Sequence, residues 1–325
     1  MKIRVRERLL PFSHLPGVSA VIPGTRSFVK VFPTRLILNE TVFDFPLRGA
    51  TEGFTVVKDL ERGEIRVFGK WFEYILKKKE RGITLNFTRS PWGREERLLI
   101  ADASSLELPR EKLFLGCLKA QDVEKIRQRR NLSEILPFIF HLGKWTPAIL
   151  ENKVGTTRLL NQLHELIQKR EALKAEKMLL TLFRVGFHGL FCPRLKDEDY
   201  QGLIEEEDIV EAASPFPLLH EGSHLIRSLF IQEEGSLLYP LPCLPPSLHA
   251  GRLITDEIDL EWSKKVLRRM ILRPTTDRQI QLKLQSELKR FRLRTNLKEK
   301  GKVIAKEVPL GLRSGEIYFF DRFEK

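Results

Sequence analysis

Carboxylates suited to acid–base chemistry are concentrated between residues 197 and 221. Asp197 and Asp199 lie in a predicted loop, and Glu221 lies near the start of a predicted helix. Hydrolysis of a glycosidic bond uses two carboxyl groups, about 5 Å apart for retention or roughly 6.5–9.5 Å apart for inversion, and one of them is kept protonated by apolar surroundings. Glu221 with Asp197 or Asp199 meets this need if the loop folds over the helix. The alternative is that Glu221 only complements the positive end of its helix.

Two histidines flank Glu221. His220 and His224 are four residues apart, so on a helix they share a face, as in the His-Glu-x-x-His zinc motif. However, Gly222 weakens the helix where metal ligands need rigidity, and a third ligand, for example His188, would have to come from elsewhere. The sequence therefore predicts no metal site, and the three histidines are candidate substrate-binding residues.

Aromatic side chains that stack on sugar rings are few in this sequence. It has 4 Trp and 4 Tyr against 21 Phe, a usage that is typical of core filling. Trp and Tyr combine an apolar ring face with a polar group, which suits them to sugars. Trp145 is our candidate substrate-binding aromatic residue, and Trp71 and Trp92 are further platforms.

No cofactor motif occurs in the sequence, which has no Walker-type phosphate loop, no Gly-x-Gly-x-x-Gly and no Gly-x-Ser-x-Gly. Cys117, Cys192 and Cys243 are an odd number of cysteines in apolar settings without Cys-x-x-Cys spacing, which favours buried thiols in a reducing compartment. There is also no apolar run of about 18 residues and no signal-peptide pattern. We therefore predict a cytoplasmic protein with no cofactor and no membrane partner.

The positive charge lies at the two ends of the chain. Of the net charge of +13, residues 1–110 carry +7, residues 111–235 carry −2 and residues 236–325 carry +8. Arg290, Arg292 and Arg294 alternate with Phe291 and Leu293, which places the arginines on one face of a strand. A basic sheet face is typical of proteins that bind nucleic acid or another polyanion, but it also keeps an ordinary sheet soluble. Aromatic platforms on the arginine face are not evident from the sequence.

The spacing of apolar residues changes twice along the chain. Short apolar runs separated by glycine turns, clearest in residues 59–89, predict an antiparallel meander within a sandwich. Leucines at helical spacing in residues 156–182 predict a helical hairpin that breaks near Arg170, and residues 218–232 predict a further helix that stops at Gly235. After residue 236 the period returns to two.

These patterns predict an α+β multidomain protein. It comprises an N-terminal antiparallel β-sandwich (residues 1–107), a short helical middle domain (residues 108–235) and a proline-rich connector with a C-terminal antiparallel β-sandwich (residues 236–325). In the last of these, residues 275–277 are typical of a hairpin loop.

The connector is both apolar and rich in proline. Pro240, Pro242, Pro245 and Pro246 lack the N–H that a helix interior or a central strand needs. The residues between them are too apolar for a solvated linker, so we expect an extended segment that is buried where two domains meet. Trp262 is the expected anchor of this junction.

An apolar helix ending in Gln-x-x-Gly, a Leu-Pro-x-Leu-Pro segment and an Ile-Asp-Leu-Glu-Trp strand follow one another here. This order resembles the C-terminal junction of glycoside hydrolases in which an (α/α)6 toroid is flanked by β-sandwiches, and family 95, the α-L-fucosidase group, in particular. The matching residues are Leu229, Phe230, Ile231, Gln232, Gly235, Leu241, Pro242, Leu244, Pro245, Pro246, Gly251, Ile258, Asp259, Leu260, Glu261, Trp262 and Arg273.

The resemblance implies a β–α–β order and a carbohydrate-active, glycoside-hydrolase-like protein. The catalytic carboxylates of that family lie in the toroid, whereas residues 108–235 have room for only about five or six helices of ordinary length. No catalytic residue is carried over, and the expected protein has reduced or lost catalysis. The alternatives are a non-enzymatic binder of an anionic partner, either nucleic acid or acidic polysaccharide, and a structural or scaffolding protein; the oligomeric state is left open.

Overall fold

The computed structural model describes residues 4–8, 17–47, 52–80, 82–100, 111–116, 121–145, 157–187 and 216–325. Strand-rich N- and C-terminal regions flank a short helical middle, which confirms the predicted α+β class.

The helices are α1 (Val123–Arg129), α2 (Leu132–Trp145), α3 (Thr157–Gln168), α4 (Ala172–Gly186) and α5 (Phe216–Phe230). The strands before them are β1 (Arg4–Arg8), β2 (Val18–Val21), β3 (Phe28–Val31), β4 (Arg35–Leu38), β5 (Thr41–Asp44), β6 (Thr55–Asp59), β7 (Glu64–Phe68), β8 (Glu73–Lys79), β9 (Gly82–Arg89), β10 (Glu95–Ile100), β11 (Lys112–Phe114) and β12 (Gln121–Asp122). The strands after them are β13 (Ile231–Glu234), β14 (Leu237–Pro240), β15 (Ala250–Ile254), β16 (Ile258–Ser263), β17 (Val266–Leu272), β18 (Arg278–Leu282), β19 (Arg290–Arg294), β20 (Lys302–Ala305), β21 (Leu310–Leu312) and β22 (Tyr318–Glu324).

The chain divides into two compact units. Unit 1 takes its residues from Met1–Pro109, Cys117–Thr157 and Leu182–Glu221, and unit 2 from Arg110–Gly116, Arg158–Thr181 and Gly222–Lys325. The domain boundaries that we predict after residues 107 and 235 stay predictions.

Unit 1 contains a seven-stranded sheet A, in the order β10-β9-β8-β7-β6-β1-β12, and a four-stranded sheet B, in the order β2-β3-β4-β5. Strands β6 to β10 form an antiparallel meander in chain order, as the glycine turns in residues 59–89 predict. Phe45, which follows sheet B, has its ring 5.4 Å from Tyr74 and 5.3 Å from Phe87 of sheet A. These aromatic contacts join the two sheets through a common core.

The predicted helical hairpin is present as α3 and α4. Arg170 has a φ of 59°, a left-handed conformation that ends a helix. Its N–H donates to the carbonyl of Ile167 (3.0 Å), and the N–H of Glu171 donates to that of Leu166 (2.9 Å). These bonds satisfy the last carbonyls of α3, so the break falls where the sequence predicts it.

Unit 2 contains a seven-stranded sheet C, in the order β11-β15-β16-β17-β22-β19-β20, and a four-stranded sheet D, in the order β13-β14-β18-β21. Alternate residues of sheet C form a fully buried inner face, which includes Leu253, Leu260, Trp262, Met270, Phe291 and Phe320. Because side chains alternate along a strand, the residues between them form the opposite, outer face.

The connector is buried within unit 2 and is anchored by Trp262, whereas its expected position between two domains stays a prediction. The Trp262 ring stacks on Phe230 at the end of α5, with ring centroids 5.0 Å apart, and its indole N–H donates to the Leu248 carbonyl (3.3 Å). The N–H of Leu241 donates to the carbonyl of Phe230 (2.8 Å). The connector therefore satisfies the C-terminal end of α5 directly.

Two local predictions are wrong. Helix α5 ends at Phe230 rather than at Gly235, because Ile231–Glu234 pairs as a strand with β14, and Gly235 lies in the turn between them. Residues 275–277 do not close a hairpin, because β17 belongs to sheet C, whereas β18 pairs with β14 and β21 of sheet D. Within the part of the chain that the structure describes, no helix is long and apolar enough to cross a membrane.

Candidate functional site on the outer face of sheet C

The structure places the predicted histidine pair on one helix, α5. Glu221 and His224 are exposed and His220 is half-buried, while Gly222 and Ser223 are buried on the other side of the helix. The i, i+4 spacing of the two histidines on a helix is thus present, although Glu221 is in solvent rather than in apolar surroundings. Among the described residues no three His, Cys, Asp or Glu side chains are grouped so that they could hold a metal ion.

The other predicted site residues are not brought to Glu221 by the described structure. Asp197, Asp199 and His188 lie outside the described residues. Trp145 is the last residue of α2, and its side chain is also outside the description. The catalytic pair of Glu221 with Asp197 or Asp199 therefore stays a prediction.

A different group of side chains meets on the outer face of sheet C. One row crosses the sheet through directly paired residues, from β11 to β19: Lys112, Ile254, Asp259, Ile271, Phe319 and Arg294. Its three apolar members, Ile254, Ile271 and Phe319, are each half-buried, so part of each remains open to solvent. The row therefore has a cation at either end and three apolar side chains, which Asp259 divides into Ile254 on one side and the neighbours Ile271 and Phe319 on the other.

A second row lies two residues further along the same strands. Arg252, Glu261 and Arg269 stand side by side on β15, β16 and β17, and Asp321, Arg292 and Val303 on β22, β19 and β20. Because alternate strands lie about 9.5 Å apart, the arginines of this row are spaced at roughly that interval. We call the two rows, together with Arg273, the outer face.

Each of two aspartates on the outer face is shared by two arginines. Asp259 accepts from Arg273 (3.0 and 3.3 Å) and, through a longer contact of 3.4 Å, from Arg252. Asp321 accepts a bidentate pair from Arg292 (2.6 and 2.9 Å) and a further bond from Arg294. Each group of two arginines and one aspartate therefore keeps one net positive charge.

The electrostatics of Asp321 follow from this arrangement. The hydrogen bonds from Arg292 lower the pKa of Asp321, and the charge of Arg294 acts in the same direction, while partial burial opposes both. The same pair raises the pKa of the Arg292 guanidinium. Both groups are thus held in their charged forms, and the Asp321 carboxyl lacks the raised pKa that a proton donor needs.

Arg269 is an available cation of the outer face. Its side chain is exposed and makes no ion pair or hydrogen bond with any residue that the structure describes. The side chain of Arg252 is 48% exposed and makes a single, long contact with Asp259. Guanidinium groups have five N–H donors, so both retain donors for a ligand.

The sequence analysis found the arginines of this face but missed its aromatic residue. Phe291 lies on the inner face and is buried, as the alternation predicts. The aromatic ring beside the arginines comes from the neighbouring strand, because Phe319 pairs directly with Arg294. The run Tyr318-Phe319-Phe320 predicts a strand with aromatic residues on both faces. Only the strand pairing in the structure shows that this strand, β22, lies beside β19 and its arginines.

Comparison with known proteins gives no assignment. No family model matches this chain, and no curated protein matches it.

Proposed function

We propose that this protein binds an acidic polysaccharide through the outer face of sheet C, and that it does not hydrolyse the polymer. The observation that carries the proposal is that the half-buried apolar side chains of Ile254, Ile271 and Phe319 lie among arginines on the same face. Apolar faces of sugar rings pack on such side chains, and guanidinium groups bind carboxylates in a bidentate manner. A polymer of uronic acids presents both chemistries at once.

The charge of the outer face supports an anionic ligand. The face has six basic side chains (Lys112, Arg252, Arg269, Arg273, Arg292 and Arg294) and three acidic ones (Asp259, Glu261 and Asp321), a net charge of +3. The hairpin of β19 and β20 at the edge of the sheet adds three exposed lysines, Lys298, Lys300 and Lys302, which have no ion pair among the described residues. Attraction of a polyanion to such a surface weakens as salt is added.

Binding without hydrolysis is supported by the state of those carboxyl groups that the structure describes. A glycosidase needs one carboxyl group that is kept protonated by apolar surroundings. Asp259 and Asp321 are each bonded to two arginines, and Glu221 is exposed. The resemblance of the connector to family 95 supports a carbohydrate as the polymer and gives no catalytic residue to this chain.

We place this activity in the cytoplasm. The thiol of Cys243 is free and buried, which supports a reducing compartment.

The test is a titration of fluorescein-labelled oligogalacturonate, followed by fluorescence anisotropy at 50 mM and 200 mM salt. We expect binding that weakens with salt, and Arg269→Ala should reduce the affinity about tenfold because one charge-assisted contact is lost. Phe319→Leu should also weaken binding, because it removes the ring and keeps an apolar side chain. The matched control is Arg313→Ala, an exposed arginine outside the outer face, which should change the affinity by less than about twofold.

Three results would count against the proposal. Equal effects of Arg269→Ala and Arg313→Ala would show that the outer face is not the binding surface. Tight binding of poly(U) RNA without binding of oligogalacturonate would replace the polysaccharide with a nucleic acid. Release of reducing ends by the wild type, lost in Glu221→Gln, would show that the protein is a hydrolase.

A further inference from the structure

A groove crosses the solvent side of sheet B in unit 1. Its volume is about 440 Å³, within the range of small-molecule sites. Val29 and Val31 of β3 are buried, so Phe28 and Lys30, which alternate with them, lie on the solvent side. The full lining is Ser19, Phe28, Val29, Lys30, Ile37, Asn39 and Glu40. Phe28 and Ile37 supply an apolar floor, and the remaining side chains on the solvent side are polar or charged.

The two charged residues of the groove have opposite signs and no ionic partner among the residues that the structure describes. Lys30 lies 5.6 Å from the centroid of the Phe32 ring and pairs with no carboxylate among the described residues. Glu40 makes no ion pair or hydrogen bond with any residue in the described part of the chain. Since Lys30 pairs with Ile37 while Glu40 lies in the turn after β4, the two charges are at opposite ends of the groove.

Glu40 also has a strained backbone that its contacts do not explain. Asn39 and Glu40 form the two-residue turn between β4 and β5, with φ values of 45° and 75°. Asn39 has a structural role, because it accepts from the Phe28 N–H (3.0 Å) and donates to Ser27 (2.9 Å). Glycine is the preferred residue at the second position of such a turn. Glutamate in place of glycine therefore costs stability at this position, and no contact of its side chain with the described residues offsets that cost.

We propose that this groove binds a short peptide that has free ends. The Glu40 carboxylate would take the peptide's ammonium group, and the Lys30 ammonium would take its carboxylate. Lys30 lies two residues along β3 from Phe28, which is hydrogen-bonded to Asn39 of the turn, so about 7 Å of strand separates the backbone of Lys30 from the turn that carries Glu40. A ligand that reaches both charges must therefore be extended, with an ammonium at one end and a carboxylate at the other, as in a short peptide. The apolar floor then packs against the peptide's side chains. The groove lies in unit 1 and the outer face of sheet C in unit 2. The test of peptide binding can therefore fail or succeed whatever the outcome of the polysaccharide test.

The test uses calorimetric titration with Leu-Leu and Leu-Leu-Leu, each also in N-acetylated, C-amidated and doubly blocked forms. We expect a dissociation constant of at most about 1 mM for the free peptides, and at least about tenfold weaker binding for every blocked form. Lys30→Gln should abolish the preference for a free carboxylate only, and Glu40→Gln the preference for a free amine only. Lys77→Gln and Glu61→Gln, exposed residues outside the groove, are the matched controls and should leave binding unchanged.

Glu40→Gly separates a binding role from a structural one. Glycine adopts the left-handed conformation without strain, so this variant should raise the Tm by roughly 2–4 °C while peptide binding is lost. Equal binding of the doubly blocked and free peptides, the absence of any titration, or unchanged binding by Glu40→Gly would each overturn the proposal.

Discussion

Replacing Gly251 with alanine is expected to loosen the junction that Trp262 anchors. A Cβ atom at residue 251 would lie 2.7 Å from Cη2 of Trp262, closer still to Cζ2, and 2.8 Å from Cδ2 of Leu115. Ordinary contact begins at 3.4 Å, so the indole ring must move by at least 0.7 Å, the difference between 3.4 and 2.7 Å. Movement of the ring disturbs its neighbours, because Phe230 stacks on it and its N–H is bonded to the Leu248 carbonyl.

The expected magnitude is that of an overpacked core. Inserting a methyl group into a well-packed site costs about 1–3 kcal/mol. For a unit of this size, that lowers the Tm by roughly 3–12 °C. Leu115 adds little to this cost, because only the end of its flexible side chain is close.

Thermal unfolding followed by far-UV circular dichroism and by tryptophan fluorescence measures the effect. Gly311→Ala is the matched control, since a Cβ at residue 311 meets nothing within 4 Å, and we expect it to change stability by less than about 0.5 kcal/mol. In a Trp262→Phe background, which lacks Cζ2 and Cη2, the cost of Gly251→Ala should fall by at least about half. A Gly251→Ala protein as stable as Gly311→Ala, or a cost unchanged by Trp262→Phe, would refute the packing argument.

Two further predictions concern titratable groups. Because the hydrogen bonds from Arg292 lower the pKa of Asp321 in the folded state, Asp321 stabilises the fold above the ordinary carboxyl pKa of about 4, and this contribution is lost as the pH falls through the lowered value. Asp321→Asn should therefore reduce stability at pH 7 and flatten the loss of stability below about pH 4, as urea unfolding across pH will measure; parallel pH profiles for both proteins would contradict this. Burial raises the pKa of Cys243 to about 11, so in a protein with Cys117→Ser and Cys192→Ser we expect iodoacetamide at pH 8 to react slowly with the folded form and rapidly in urea; equal rates would show that the thiol is accessible.

Local periodicity was sufficient to predict the helices and many of the strands. The leucine spacing in α3 and α4 locates both helices and the break at Arg170, because helix formation and capping depend on residues within one turn of each other. The strands of residues 59–89 were predictable for a similar reason, since each glycine turn joins strands that pair directly.

Pairing between strands decided the two elements that were predicted wrongly from the sequence. Residues 231–234 continue a helical pattern, yet they form β13 because β14 lies close enough in sequence to pair with them. Residues 275–277 have the composition of a hairpin loop, but they connect two different sheets. In both cases the local sequence is compatible with two structures, and the partner strand selects one.

The outer face of sheet C demonstrates the same limit at the level of a site. Alternation along β19 predicts correctly that Arg290, Arg292 and Arg294 share a face. Alternation along β19 does not show which residue of the neighbouring strand lies beside Arg294. That residue is Phe319, and the pairing of β22 with β19 places it there. A sequence therefore reveals the charge of a sheet face more readily than its aromatic residues, which come from other strands.

The shared aspartates reconcile the two roles that an arginine-rich face can have. If the arginines served solubility alone, they would need no fixed orientation, and exposed ion pairs would contribute little to stability. Arg292 and Arg294 are instead only 17% and 14% exposed, and Asp321 holds both of them. One aspartate for two arginines fixes the guanidinium groups and still leaves a positive charge. A second aspartate would cancel that charge, whereas no aspartate would leave the groups free to rotate. The ratio of one to two, found at both Asp259 and Asp321, orients the guanidinium groups and leaves one positive charge uncancelled, as the proposed binding of an anion requires.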